Sequence, residues 1–376
     1  MHCGLCLSSC PTYLTSGLES RSPRGRLLIM DQIQNGNGEI DSDIIGHLDS
    51  CLDCRGCETV CPSGVEYHLA LDETKINSNF NSKKSFISKI LLFAIKYRFL
   101  LKLITWKFAL LKFVGIFKFL SKLGLNIGFS GNSIPISINQ SVKGGIHKTN
   151  LKSKGTIGLF TGCIMNEWFQ KTHKSTINVL NKLGYDVLVP KQDICCGALH
   201  SHEGNKKTAK SLLENSEYEF KNCEIVIINS AGCSAEIKSK SENSNKYLDI
   251  VEFLAKEELE KINPINKKVV WDAPCHLSHA QKLVNEPQII FNKIGIDPII
   301  WQGQELCCGG AGNYTLKNPI ESDEILNMKM EMLSKLDFDY LITSNPGCYL
   351  QLEKGRLQNN KNFKIIQLVE FIEELI

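Results

Sequence analysis

Residues 51–62 read CLDCRGCETVCP, a C-x2-C-x2-C-x3-C-P run. Thiolate sulfur is soft, and three thiolates at this spacing wrap three corners of one iron–sulfur cubane. The fourth cysteine, before the proline, reaches the other cluster in two-cluster proteins. A structural zinc site rarely needs the third cysteine or the C-P ending. Residues 3–11 read CGLCLSSCP, the same run with its first cysteine missing. That cysteine would stand one position before Met1, so the run reads as a truncated fragment or a start assigned too late. The crossing rule assigns Cys51, Cys54, Cys57 and Cys10 to one [4Fe–4S] cluster, and Cys3, Cys6 and Cys61 to a second. With three ligands, the second is expected to take a three-iron form or a foreign fourth ligand.

Of the 16 cysteines, eight more form two sets in the C-terminal half. The first is Cys163, Cys195, Cys196 and Cys233; the second is Cys275, Cys307, Cys308 and Cys348. Cys163 to Cys195 is 32 positions, as is Cys275 to Cys307, and each set continues as CCG. The last cysteine follows a glycine in both, as AGC and PGC. Self-similarity at an offset of 112 to 115 residues indicates a duplicated folding unit. Adjacent cysteines chelate a single ion poorly but can reach two irons of one cluster, so each set is a candidate iron–sulfur site; a redox dithiol or a partly structural set is the other reading. His276 and His279 follow Cys275, and His200 and His202 follow the first CCG. These histidines either line a site or serve as caps and hydrogen-bond partners. Cys223 is left over at the start of an apolar run and reads as a packed thiol.

The elements that position these residues follow from periodicity. Each unit alternates apolar strands with helices. In the first, the strands are TIGLFTGC (156–163), YDVLVP (185–190) and EIVIINS (224–230), with helices over 166–183 and near 203–221. In the second, KVVWDAPC, DPIIWQ and DYLITSNPGC take the strand places. Continuous apolar strands between helices predict parallel packing, with strand-end cysteines converging at one edge. Between the two N-terminal runs, SRSPRGRLLIMDQI predicts a helix starting near Pro23, and Arg21, Arg24 and Arg26 are available to balance a negative cluster. The fold class expected is α+β: a small helical two-cluster domain over 1–81, a basic apolar helical linker over 82–154, and duplicated α/β units over 155–262 and 263–376.

Residues 83–125 carry no acidic side chain, and lysines interrupt the apolar residues every few positions. The longest uncharged run is Ile90–Ile95, too short for a spanning helix. Lys89, Lys96, Lys107, Lys118 and Lys122 fall broadly on one side of a helical wheel; Arg98, Lys102 and Lys112 do not. This pattern fits either a basic amphipathic surface for an anionic membrane or partner, or helices covering the cluster domain with lysines in solvent. Residues 126–154 are rich in Gly, Ser and Asn and read as a linker. Net charge is only +3, which gives no basic field for nucleic acid. The start MHC does not read as a signal peptide, so clustered cysteines point to metal rather than disulfides in a reducing compartment.

Together CGLCLSSCPTY, SPRGR, CLDCRGCETVCPSGVEY and the paired CCG units resemble the glycolate oxidase iron–sulfur subunits, over essentially the whole chain. The resemblance implies a ferredoxin-type domain with two [4Fe–4S] clusters, further clusters in the CCG units, and FAD-containing partner subunits that oxidise glycolate to glyoxylate or D-lactate to pyruvate. It implies electron relay toward a membrane or quinone acceptor, from a cytoplasmic site peripheral to the inner face of the membrane. No G-x-G-x-x-G run is present, so the carbon chemistry belongs to a partner. CCG units also occur in lactate-utilisation proteins, anaerobic glycerol-3-phosphate dehydrogenase and heterodisulfide reductase, so a thiol or disulfide reductase subunit is the alternative. Heterodisulfide reductase relatives carry a fifth cysteine where this chain has Ser230 and Asn345, which puts their noncubane cluster in doubt here.

Overall fold

The computed structural model describes residues 3–36, 41–77, 86–116, 133–135, 142–259 and 267–376. The N-terminal part is helical: α1 (Pro11–Ser16), α2 (Pro23–Gln34), α3 (Ser42–Asp49), α4 (Gly56–Thr59) and α5 (Tyr67–Asn77). Helix α2 starts as expected. The Ser22 hydroxyl accepts from the Gly25 amide and Pro23 takes the first turn, where its missing N–H costs nothing. Gly25 is required because a Cβ there would stand 2.0 Å from the Glu19 carbonyl oxygen. Met30, Leu48, Tyr67 and Leu71 form the small core beneath these helices.

Next come α6 (Phe86–Lys96) and α7 (Arg98–Phe113). Among the described residues their main contacts are with the cysteine-rich units. Ala94, Ile95 and Leu101 pack with Cys163 and Cys195 of the first cysteine-rich unit, and the Trp168 indole donates to the Thr105 hydroxyl at 3.1 Å. Lys118, Lys122 and residues 126–132 and 136–141 of the expected 126–154 linker lie outside the described residues. One described piece of that stretch is not linker: Gly145–His147 forms β1, an antiparallel edge strand on β3. An antiparallel edge on an otherwise parallel sheet is common, and three residues that begin with Gly145 after Gly144 give too little periodicity to announce it.

The first unit then runs β2 (Thr156–Phe160), α8 (Ile164–Trp168), α9 (Gln170–Lys182), β3 (Asp186–Val189), α10 (Ala198–His202), α11 (Lys206–Glu219), β4 (Val226–Ile228), α12 (Ala231–Lys240), β5 (Tyr247–Asp249) and α13 (Ile250–Lys256). Its sheet has the order β1-β3-β2-β4-β5, parallel except for β1. The second unit has β6 (Val269–Trp271), a π-helical turn at His276–Ala280, α14 (Glu286–Ile294), α15 (Tyr314–Lys317), α16 (Pro319–Leu333), β7 (Tyr340–Thr343), α17 (Pro346–Gln358), β8 (Lys364–Gln367) and α18 (Leu368–Leu375). Its sheet is β6-β7-β8, all parallel. The expected strand DPIIWQ is reduced to one bridge, Ile299 to Val270. Pro298 has no N–H for a ladder, and Ile300 is exposed.

The two units exchange their last helices: α13 packs on α14 of the second unit, and α18 packs on α9 of the first. Equivalent helices thus swap partners reciprocally, the arrangement of a two-fold interface within one chain. Both swapped helices carry the same triplet, Val251-Glu252-Phe253 and Val369-Glu370-Phe371. A single core runs through both, from Ile157 and Leu159 to Val369, Phe371 and Ile372. The fold is α+β, a helical N-terminal domain followed by two α/β repeats.

Candidate functional site

Cys10, Cys51, Cys54 and Cys57 line one cavity of about 20 Å³ of free space, between the Cys10–Pro11 corner and the 51–57 loop. Two sequence runs some 40 residues apart therefore meet as the crossing rule expects. Asp53 and Arg55 bend the loop through left-handed backbone, at φ 52° and 61°. The site's charge balance is legible in its neighbours. Arg26 is buried, and its guanidinium donates to the His47 carbonyl at 2.8 Å, the Thr12 hydroxyl at 3.0 Å and the Ser50 hydroxyl at 2.9 Å. Its NH1 stands 4.0 Å from the Cys10 sulfur. Burial alone would make that guanidinium easier to discharge; Cys51, Tyr67 and Cys10 reverse this and raise its pKa. A buried cation against four thiol sulfurs suits a polyanionic cluster. Of the three candidate arginines only Arg26 lines this cavity: Arg24 pairs with Glu19 at 2.6 Å and Arg21 with Glu321 at 3.4 Å. The Tyr67 hydroxyl is buried there beside the Cys51 thiol, and burial raises its pKa.

Cys3 precedes and Cys6 lies within the one-turn helix Leu5–Leu7, which packs against α4 just ahead of Cys61. Cys3 is exposed; Cys6 and Cys61 are half-buried. Burial raises the Cys6 thiol, helped by Cys10 and Cys3 nearby and opposed by the Arg24 backbone amide.

Both later cysteine sets open onto a second, larger cavity of about 220 Å³, as strand-end placement predicts. Cys163, Cys195, Cys196 and Cys233 line one wall, and Cys275, Cys307, Cys308 and Cys348 the other. The Cys275 and Cys307 sulfurs are 4.0 Å apart. Among the described residues, no three His, Cys, Asp or Glu side chains converge tightly enough to hold a single metal ion. Asn313, Tyr314 and Thr315 line the same cavity with buried polar atoms that have no protein partner, so its wall is equipped for a polar ligand or water.

The two cavities touch. Leu52 and Cys54 pack against Cys275, Cys307 and Tyr314, and Cys51, Leu52 and Asp53 line the larger cavity from its N-terminal side. Asp53 meets His202 at 3.1 Å. Burial would raise the Asp53 carboxyl, but His202, His276 and Lys75 hold it at about 2. The His279 ring sits 2.9 Å from the Thr59 hydroxyl. So His202 and His279 dock the helical domain on the two units, while His202 and His276 also line the cavity. His200 is buried beneath it. Cys223 is packed beside Phe220 and Val226, facing Gly158, whose added Cβ would lie 3.3 Å from its sulfur.

Ser230 and Asn345 face each other across the junction. Each stands at the N-terminal end of the helix bearing its unit's last cysteine, α12 and α17, and the Ser230 hydroxyl accepts from the Cys233 amide. The Ser230 hydroxyl donates to Asn345 Oδ1 at 3.3 Å, the Gly232 amide donates to the same oxygen at 3.3 Å, and Asn345 Nδ2 donates to the Cys348 sulfur at 3.4 Å. Below the second set lies a feature absent from the sequence reading: Lys329, fully buried, pairs with buried Asp272. The available signal was a lone aspartate in the apolar run KVVWDAPC.

These features define a class: a chain joining a ferredoxin-type iron–sulfur domain to paired cysteine-rich domains. Residues 1–65 match the 4Fe-4S dicluster domain, and residues 157–238 and 269–353 each match the cysteine-rich CCG domain. The chain is a homologue of glycolate oxidase iron–sulfur subunits over nearly its full length. It is 28% identical to the probable glycolate oxidase iron–sulfur subunit of Bacillus subtilis, covering 94% of this chain and 88% of that one. It is also 28% identical to the glycolate oxidase iron–sulfur subunit of Escherichia coli, covering 98% and 92%. A fumarate reductase (CoM/CoB) subunit from Methanothermobacter marburgensis is 30% identical over 62% of this chain and 50% of its own length.

Proposed function

We propose that this chain is the electron-relay subunit of a complex oxidising glycolate, or D-lactate, through FAD-containing partner subunits, and that it passes electrons toward a membrane acceptor. In this reading Cys10, Cys51, Cys54 and Cys57 hold one [4Fe–4S] cluster, and Cys3, Cys6 and Cys61 ligate a second. Cys163, Cys195, Cys196 and Cys233, with Cys275, Cys307, Cys308 and Cys348, hold further iron–sulfur centres. Bound clusters would supply one-electron steps; the hydride would go to flavin on the partner. The observation that carries the reading is the packing of Cys54 against Cys275 and Cys307, which brings two thiol-rich cavities together through side chains alone. Arg26 supplies charge balance, and Leu52, Tyr314 and Ile325 exclude water between the cavities. The test is reconstitution of the anaerobically purified chain with its flavoprotein: glycolate should reduce an artificial acceptor only when both are present, and Cys54→Ala should abolish transfer while leaving flavin reduction intact. Acceptor reduction by the flavoprotein alone, at the same rate, would refute a relay.

The larger cavity favours a second reading, a disulfide reductase, because two cysteine sets face one space with unpartnered polar atoms. Reduction of small disulfides by the isolated chain, lost in Cys307→Ala, would select it.

A further inference from the structure

Helix α7 is apolar on two faces. Leu101, Thr105 and Ala109 are buried against the first unit. Arg98 ties the start of the helix there, donating to Glu167 at 3.1 Å, Asp193 at 3.3 Å and the Gly162 carbonyl at 3.4 Å. The opposite face carries Phe99, Leu103, Trp106, Leu110 and Phe113, at steps of four and three residues, which is one stripe of a helix. It stands in solvent: Phe99 is 76% exposed, Trp106 60% and Phe113 82%. The stripe runs about 21 Å at the helical rise. On α6, Phe93 and Tyr97 are also exposed, their rings 4.7 Å apart.

The charge carried by these two helices has one sign. Residues 86–116 hold no Asp or Glu. Lys89, Lys96 and Lys107 are exposed; Lys102 is exposed too but pairs with Asp193 at 3.4 Å, and Lys112 donates to the Ile134 carbonyl. An exposed aromatic stripe edged by lysines is the composition of a helix that lies in a membrane interface. No described helix is long and apolar enough to cross a membrane.

We propose that the outer face of α6 and α7 seats on an anionic phospholipid surface. Phe99, Trp106 and Phe113 enter the headgroup–acyl boundary, and Lys89, Lys96 and Lys107 meet lipid phosphates. The lipid contact stands on the exposed face itself; only its purpose, bringing the relay to a membrane acceptor, rests on the function proposed above. A protein partner would have to match three lysines with acids around a flat aromatic stripe, whereas an anionic leaflet supplies both complements.

The full iron-loaded chain is floated with vesicles of phosphatidylcholine, alone or mixed with phosphatidylglycerol. The expected result is binding to the mixed vesicles, release by high salt, and a blue shift of Trp106 emission. Each lysine changed to glutamine should weaken binding about fivefold. The triple variant Phe99→Ser, Trp106→Ser, Phe113→Ser should stay in solution with its iron content unchanged. Equal binding to both vesicle types, no binding to either, or a triple variant that still floats would overturn the proposal. Loss of the flavoprotein from the triple variant, with wild-type chain ignoring vesicles, would assign the face to a protein partner instead. Iron loss in the wild-type chain would count against the relay and leave the vesicle result standing.

Discussion

Three residues before its leading cysteine the first unit carries Phe160, and the second carries Asp272. Around them the duplicates have diverged in kind. Phe160 packs with Ile194, Phe220 and Tyr247 in an apolar layer, and on the facing helix Ser216 donates to the Cys195 carbonyl at 2.9 Å. In the second unit the comparable region of α16 supplies Lys329, which pairs with Asp272 and donates to the Leu306 carbonyl. Burial raises Asp272 to about 6 even with Lys329 pulling it down. The first unit instead receives its cation from outside, as Arg98 of α7. A duplicated frame thus positions two alike cysteine sets over different electrostatics, one apolar with a borrowed charge and one with a built-in ion pair.

Removing half of the built-in pair should have the largest effect on stability. Lys329→Met strands a buried carboxylate and is expected to cost about 3–5 kcal/mol in urea unfolding, with Asp272→Leu in the same chain recovering most of it. A cost below about 1 kcal/mol would erase the contrast between the units.

Acid should strike the first unit. His173 on α9 is buried, hydrogen-bonded to the Thr161 carbonyl at 2.9 Å, and held down to about 4 by burial. The unfolded chain, near 6.5, takes up the proton first. Stability from the neutral ring is therefore complete above about pH 6.5 and lost as pH falls toward 4, by up to about 3 kcal/mol. Helix α14, the second unit's counterpart, has no histidine. His173→Gln should remove that much of the difference between unfolding at pH 7 and pH 4; an unchanged difference would place the acid sensitivity elsewhere.

The junction should give the smallest effect. Asn345→Ala removes two contacts across the units and one to Cys348, and should cost about 1–2 kcal/mol. Combined with Ser230→Ala, the double-mutant cycle should leave a coupling of about 0.5–1 kcal/mol. Strict additivity would mean that these side chains act separately.

Legibility followed the length of each pattern. The parallel strands beginning at Thr156, Asp186, Val226, Val269 and Tyr340 announced themselves by continuous apolar runs, and Pro23 marked the start of α2. The swap of α13 and α18 did not, because period alone says that a helix has an apolar face, not which partner covers it. The shared Val-Glu-Phe triplets were the missed clue, since duplicated sequence outside the cysteine spacing implies duplicated packing. Arg26 could not be separated from Arg21 and Arg24 by composition; helix phase turns it inward, and only the fold shows which arginine reaches the cavity. Of the lysines the wheel placed on one side, Lys89, Lys96 and Lys107 are exposed and Lys118 and Lys122 lie outside the described residues; Lys102, placed off that side, is exposed as well, and the surface that α6 and α7 meet belongs to the cysteine-rich units.

The crossing of Cys10 into the cavity of Cys51, Cys54 and Cys57 is tested most directly by low-temperature EPR of the anaerobically reduced chain. Cys10→Ala and Cys51→Ala should lose the same cluster signal, while Cys61→Ala leaves it in place. A Cys10→Ala chain that keeps the signal lost in Cys51→Ala would contradict the shared cavity as a cluster site.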